Sequence, residues 1–282
     1  MKRTSVAALA LIGLGLALVL SGCSKPVSPL NRTAAVQMES VGQTGDGMLY
    51  GIMDPTSTFT PAAIGSGTLA TMGLSPLAIS ACSSTSAYQS SGWGVDSDGD
   101  GIPDHATTTY ACSTSGVTLT GTLTVTDKPG QNTGYTAQIK DFKLTFTSGG
   151  QTYSMTMNIS VDLSQVSSTQ YTLDYSFDIV ADAPGYNGHL SVTGSPQYIA
   201  DSAADPFAAG TFKLNGQAEF DDSSGNYYRA TRASSDLHFD KTLTCAYDFD
   251  SGSVTYADSE MNTLIVSYGC NSISATFNGG AI

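Results

Sequence analysis

The sequence predicts an all-β domain: an antiparallel meander of roughly ten strands forming a curved sheet, a sandwich or a barrel-like body. Two observations carry this expectation. From Gly116 onward, apolar residues recur at every second position in successive runs, with Ser, Thr, Asn and Asp between them. Turn clusters such as "SGG", "DAPGYNG", "DDSSGN" and "DSGS" separate the runs. Period-two alternation between an apolar and a polar face is the pattern of strands buried on one side.

In chain order, "VTLTGTLTVTD" places Val117, Leu119, Leu123 and Val125 on one face. In "YTAQIKDFKLTF" the apolar parity changes between Ile139 and Phe142, which predicts a β-bulge near Lys140 and Asp141. "YSMTMNISVDL" and "YTLDYSFDI" alternate through Tyr153 to Leu163 and Tyr171 to Ile179. Further strands are expected in "GTFKLNGQAEF", "SSDLHFD", "LTCAYDF", "SVTY", "TLIVSYG" and "ISATF". Earlier, Thr60-Pro61 could open a helix, but Gly65, Gly67, Gly73 and Pro76 argue against a long one. Residues 23–48, rich in small residues and broken by Pro26, Pro29 and several glycines, predict a flexible tether, with "AAVQMESV" a candidate short helix. A single β-rich domain over 49–282 follows, including an excursion over 82–112.

The N-terminus has the order of an export signal. Lys2 and Arg3 precede an apolar stretch over 5–20 that is short for a membrane span, then small residues. "LSGC", Leu20 to Cys23, resembles the lipobox of bacterial lipoproteins. That resemblance implies a signal peptide over 1–22, acylation of Cys23 and anchoring in a membrane through lipid. Ser24, rather than aspartate, implies the outer membrane by the sorting rule of that class. Several acyl chains hold a protein stably where one chain gives marginal binding.

The chain has 11 Lys and Arg against 24 Asp and Glu, a formal net charge of −13. Signal cleavage would remove two of the cations. Such a surface repels polyanions, so nucleic acid is not an expected partner. The four cysteines after Cys23 are even in number in a chain with an export signal, which predicts two disulfides. The pairs nearest in sequence are Cys82–Cys112 and Cys245–Cys270. Neither has CxxC spacing, which argues against a zinc knuckle or redox motif.

Charge concentrates in "DSDGDGIPD", residues 96–104. Carboxylates at alternate positions can converge on a hard cation if a glycine permits the sharp turn, and this register is that of an EF-type calcium loop. Asp96, Asp98 and Asp100 would supply carboxylates, Ile102 its carbonyl, and Asp104 a direct or water-mediated contact, with Gly101 at the turn. The nine residues also resemble the calcium loops of thrombospondin type 3 repeats and of bacterial envelope proteins. Position 12, where those loops carry Glu or Asp, is Thr107. One ligand must come from elsewhere, and affinity is expected at the weak end, on the order of 10⁻⁴–10⁻³ M. Trp93 is expected to pack under the loop.

No GxSxG, HExxH or phosphate-binding glycine loop is present. Of the three histidines, His238 with Asp236 is the one candidate acid–base pair, on the polar face of an expected strand. The leading functional expectation is therefore a non-enzymatic envelope lipoprotein with a structural or binding β domain, stabilised by calcium and disulfides. Its partner would be an envelope protein, a glycan or a lipid. A carrier of lipid or another apolar ligand ranks second, and an envelope hydrolase third.

Overall fold

The computed structural model describes residues 25–53, 88–114, 117–148, 150–183, 186–245 and 248–282. The expected signal peptide, Cys23, Cys82 and Thr60-Pro61 lie outside the described residues. Among the described residues, fifteen strands follow one helix, α1 (Arg32–Ile52). They are β1 (Tyr88–Ser91), β2 (His105–Thr114), β3 (Val117–Asp127), β4 (Tyr135–Ser148), β5 (Gln151–Ser167), β6 (Gln170–Ala183), β7 (Tyr186–Gly194) and β8 (Gln197–Ala200). The series continues with β9 (Ala209–Lys213), β10 (Asn215–Asp221), β11 (Tyr227–Asp240), β12 (Ser251–Ala257), β13 (Thr263–Gly269), β14 (Ser272–Phe277) and β15 (Gly280–Ala281).

All fifteen strands belong to one sheet, ordered β1 to β7 and then β10 to β15, with every pair antiparallel. The all-β meander holds, as a single continuous sheet rather than two packed ones. Between β6 and β11 the sheet has two levels. β7 and β10 fill one, while β8 and β9 fill the other by pairing with β6 and β11. "GTFKLNGQAEF" is thus two strands, split at Leu214, which is itself buried.

The alternation places Leu119, Leu123, Val125, Leu144, Met155, Met157, Val161, Leu163, Leu173 and Phe177 in one core. The parity change in β4 is a bulge, with the register shifting between Ile139 and Phe142. Asp141 adopts φ 52° there. Facing it, Gly121 has φ 134°, and a Cβ at that position would lie 2.5 Å from the Phe142 Cα. Only glycine lets the two backbones approach so closely and bend the sheet.

Three segments differ from expectation. The first is the expected tether over 23–48, of which residues 25–48 belong to the folded domain, most of them in α1. Asn31 caps α1 by accepting from the Ala34 amide, and Ala34, Ala35, Met38, Leu49 and Ile52 are buried. The glycines that read as linker allow close packing: a Cβ on Gly42 would lie 2.2 Å from the Tyr256 hydroxyl oxygen. Second, the excursion over 82–112 contains β1 and β2, with Ala106, Thr108, Tyr110 and Cys112 facing inward. Alanine and threonine at inward positions hid that alternation. Third, the described residues of "LTCAYDF", 243–245 and 248–249, are not in a strand. β11 ends at Asp240, which accepts from the Thr242 amide at 2.8 Å and turns the chain, leaving Leu243 exposed. Cys245 and Cys270 are joined, with Cα atoms 4.6 Å apart. The bridge therefore fastens the β11–β12 loop to the β13–β14 turn rather than lying under two neighbouring strands. Cys112 is also disulfide-bonded.

Candidate metal centre

The aspartate loop joins β1 to β2 at one end of the sheet. Gly99 and Gly101 have φ of 77° and 89°, and each amide donates to Asp96, to Oδ1 at 2.8 Å and Oδ2 at 2.9 Å. Asp100 Oδ1 accepts from the Ile102 amide at 2.9 Å. The buried Ile102 side chain pins the loop to the core. Trp93 also packs against that core and donates from its indole nitrogen to Thr108 Oγ1 at 2.9 Å. This turn brings one carboxylate oxygen each of Asp96, Asp98 and Asp100 within 4.8 Å of one another.

Asp104 closes the loop. Its oxygens accept from the amide and hydroxyl of Ser97 at 2.7 and 2.5 Å. Its backbone carbonyl accepts from the Asp127 amide at 3.2 Å, which ties the loop to the end of β3. From the following turn, the Asn132 amide donates to Asp100 Oδ2 at 2.9 Å. The loop is therefore laced to the β3–β4 connection. Thr107 stands on β2, and its hydroxyl lies 3.4 Å from His105 Nε2.

Asp127 is the residue that sequence reasoning missed. Its Oδ1 is buried without a hydrogen-bond partner, and so is Asp98 Oδ2. Burial, then the charges of Asp100 and Asp98, hold the Asp127 carboxyl up at about 6. Burial likewise raises Asp100, against the amides it accepts from. Asp96 is lowered by the amides of Gly101 and Gly99. Like charges and desolvation on one side, with orphaned oxygens on the other, describe an anionic nest whose charge the surrounding protein does not balance. A hard cation with an appetite for six to eight oxygens fits that donor set. The only sequence signal for Asp127 was its place at the end of an alternating run.

No protein-family model, curated protein or solved structure matches this chain.

The candidate acid–base pair does not form as expected. Asp236 sits at the register shift in β11 with φ 40°. His238 instead bridges two other carboxylates, Asp250 Oδ2 at 2.7 Å from Nδ1 and Asp201 Oδ2 at 3.1 Å from Nε2. Partial burial opposes the charged ring, but hydrogen bonds to Asp201 and Asp250 outweigh it and raise the His238 pKa. With a carboxylate facing each nitrogen, the charged form of the ring is favoured and both nitrogens are engaged within the protein.

A second polar cluster lies deep in the molecule. Arg232, at an inward position of β11, is fully buried and pairs with Asp46 of α1, buried likewise. Its Nη1 donates to the Tyr175 hydroxyl at 2.5 Å and its Nε to that of Tyr256 at 3.3 Å. Tyr268 donates to Asp46. Neither charged residue stood out in the sequence, because each lies in a segment of otherwise ordinary polarity.

Proposed function

We propose that the protein is a non-enzymatic, lipid-anchored component of the bacterial cell envelope, at the outer membrane, whose β domain has a structural or binding role. In this reading a calcium ion clasps the β1–β2 loop, and disulfides supplement it. The observation that carries the calcium reading is the pair of buried, unpartnered carboxylate oxygens, Asp98 Oδ2 and Asp127 Oδ1, beside the three-aspartate cluster. Asp127, whose carboxyl is raised by burial and by the charges of Asp100 and Asp98, is the candidate for the ligand that Thr107 does not supply. The lipid anchor rests on Leu20 to Cys23.

Two features favour this role over the alternatives. The helix α1 covers apolar sheet surface that a carrier would offer to a ligand, and His238 is engaged on both sides. Partners compatible with the role are an envelope protein, a glycan or lipid.

Calcium titration of the chelator-treated protein tests the reading. Binding is expected with a dissociation constant on the order of 10⁻⁴–10⁻³ M. Calcium at a hundredfold excess over that constant would then stabilise the fold by about 2.7 kcal/mol. The fluorescence of Trp93 should change in parallel, because its ring abuts β2 at the base of the loop. Asp98→Asn and Asp127→Asn should each weaken the calcium response. A folded, metal-free protein whose melting temperature and Trp93 emission ignore calcium would sink the clasp.

A further inference from the structure

Residues 25–32 are fastened to the sheet along their length. Lys25 Nζ lies 3.1 Å from Asp221 Oδ1, Val27 forms a parallel bridge with Tyr227, and the Ser28 amide donates to the Tyr227 carbonyl at 2.7 Å. The Leu30 amide donates to Asp258 Oδ2 at 2.7 Å, and Arg32 to the Ala281 carbonyl at 2.6 Å. These partners sit at the β10–β11 turn, the β12–β13 turn and β15, all at one end of the sheet. The parallel bridge also fixes direction. Residues 25–28 run the same way as β11, inward from that end, so Lys25 is the outermost of them. The helix then crosses the molecule. At its far end the Ile52 carbonyl accepts from Tyr135, and the Met53 carbonyl from Lys241 at 2.6 Å. Tyr135 pairs with Asp127, so the aspartate loop lies at this opposite end.

Two residues of extended chain reach about 7 Å at most. The polar headgroup layer of a bilayer leaflet is about 5–8 Å deep. A Cys23 acylated at the hydrocarbon boundary would thus hold Lys25 within or just above the headgroups. In that reading only Ser24 separates the anchored cysteine from the fastened segment. At the same end the β12–β13 turn projects Met261, a residue 85% exposed. Asp221, Asp222 and Glu260 on these turns suit zwitterionic rather than anionic lipid.

We infer that the sheet end carrying the β10–β11 and β12–β13 turns lies against a zwitterionic bilayer surface, with the aspartate loop pointing away from the membrane. This orientation rests on the lipid-anchor reading and on the fastening of residues 25–32.

The test uses full-length acylated protein in phosphatidylcholine and phosphatidylethanolamine vesicles that contain a headgroup nitroxide lipid. A fluorophore is placed at Met261→Cys, or at Ser168→Cys on the β5–β6 turn of the opposite end. Quenching at 261 should exceed that at 168 severalfold. A linker of twenty Gly and Ser residues inserted before Lys25, with a root-mean-square span of about 25 Å, should reduce the difference. Mass spectrometry of the N-terminal peptide separates the two readings. An unacylated Cys23 overturns the anchor, and the orientation with it. An acylated protein with equal quenching at the two positions, or more at 168, overturns the orientation alone.

Discussion

Asp127 and His238 show how much a single side chain's meaning depends on what the fold places beside it. Asp127 ends an alternating run and has no partner nearby in sequence, yet β3 delivers it to the aspartate loop, where one oxygen is buried without a donor. His238 shares its strand with Asp236, but the bulge turns Asp236 away, and Asp250 and Asp201 arrive from other elements. The imidazolium is stabilised, so its contribution to folding is complete below the unfolded pKa of 6.5 and fades as pH rises through the higher folded value. The ring is partly exposed and solvent screens the pairs. His238→Gln is therefore expected to cost only about 0.5–1 kcal/mol at pH 5.5 and much less at pH 9. Urea midpoints at the two pH values measure this, and a cost undiminished at pH 9 would assign the ring a packing role instead.

Strands were legible wherever large apolar residues alternate with polar ones, and illegible where small residues face inward. β5 and β6 announce themselves through Met, Ile, Leu, Tyr and Phe, whereas β2 buries Ala106 and Thr108 and escapes notice. The bulge in β4 was readable because a one-residue insertion flips side-chain parity. Its partner was not, since Gly121 carries no pattern of its own. Replacing Gly121 with alanine would place a Cβ against the Phe142 backbone at φ 134°. The expected loss is at least about 2 kcal/mol, read from the urea midpoint, while Gly94→Ala should cost clearly less because its Cβ meets open space at an ordinary φ. Equal losses would remove the bulge from the account of sheet curvature.

Across the whole molecule, the helix and the sheet are held in register by Arg232 and Asp46. An apolar interface alone would let α1 slide. The buried pair, with three tyrosine hydroxyls around it, admits one alignment. Arg232→Met leaves Asp46 charged and unpaired, with an expected cost of about 3–5 kcal/mol. The double variant Arg232→Met, Asp46→Leu should recover much of it, because both desolvation penalties vanish together. A double variant no more stable than the single one would show that the cluster acts through shape rather than charge. The same alignment sets the molecule's polarity: N-terminal segment at one end, aspartate loop at the other.

The sequence by itself determined the all-β class, the positions of most long strands, the β4 bulge and the oxygen-rich loop, because each is written in local spacing. Local spacing also suggested a tether, and there it misled. Glycine in residues 42–47 reads the same whether it loosens a linker or admits a helix against a sheet, and only the neighbouring Tyr256 and Val192 distinguish the two. The tertiary structure alone decided what long-range contact decides. It brought Asp127 to the loop, gave His238 two carboxylates, buried Arg232 against Asp46 and pinned Lys25 to the β10–β11 turn. Each joins residues far apart in the chain, and separation of that kind leaves no trace in periodicity.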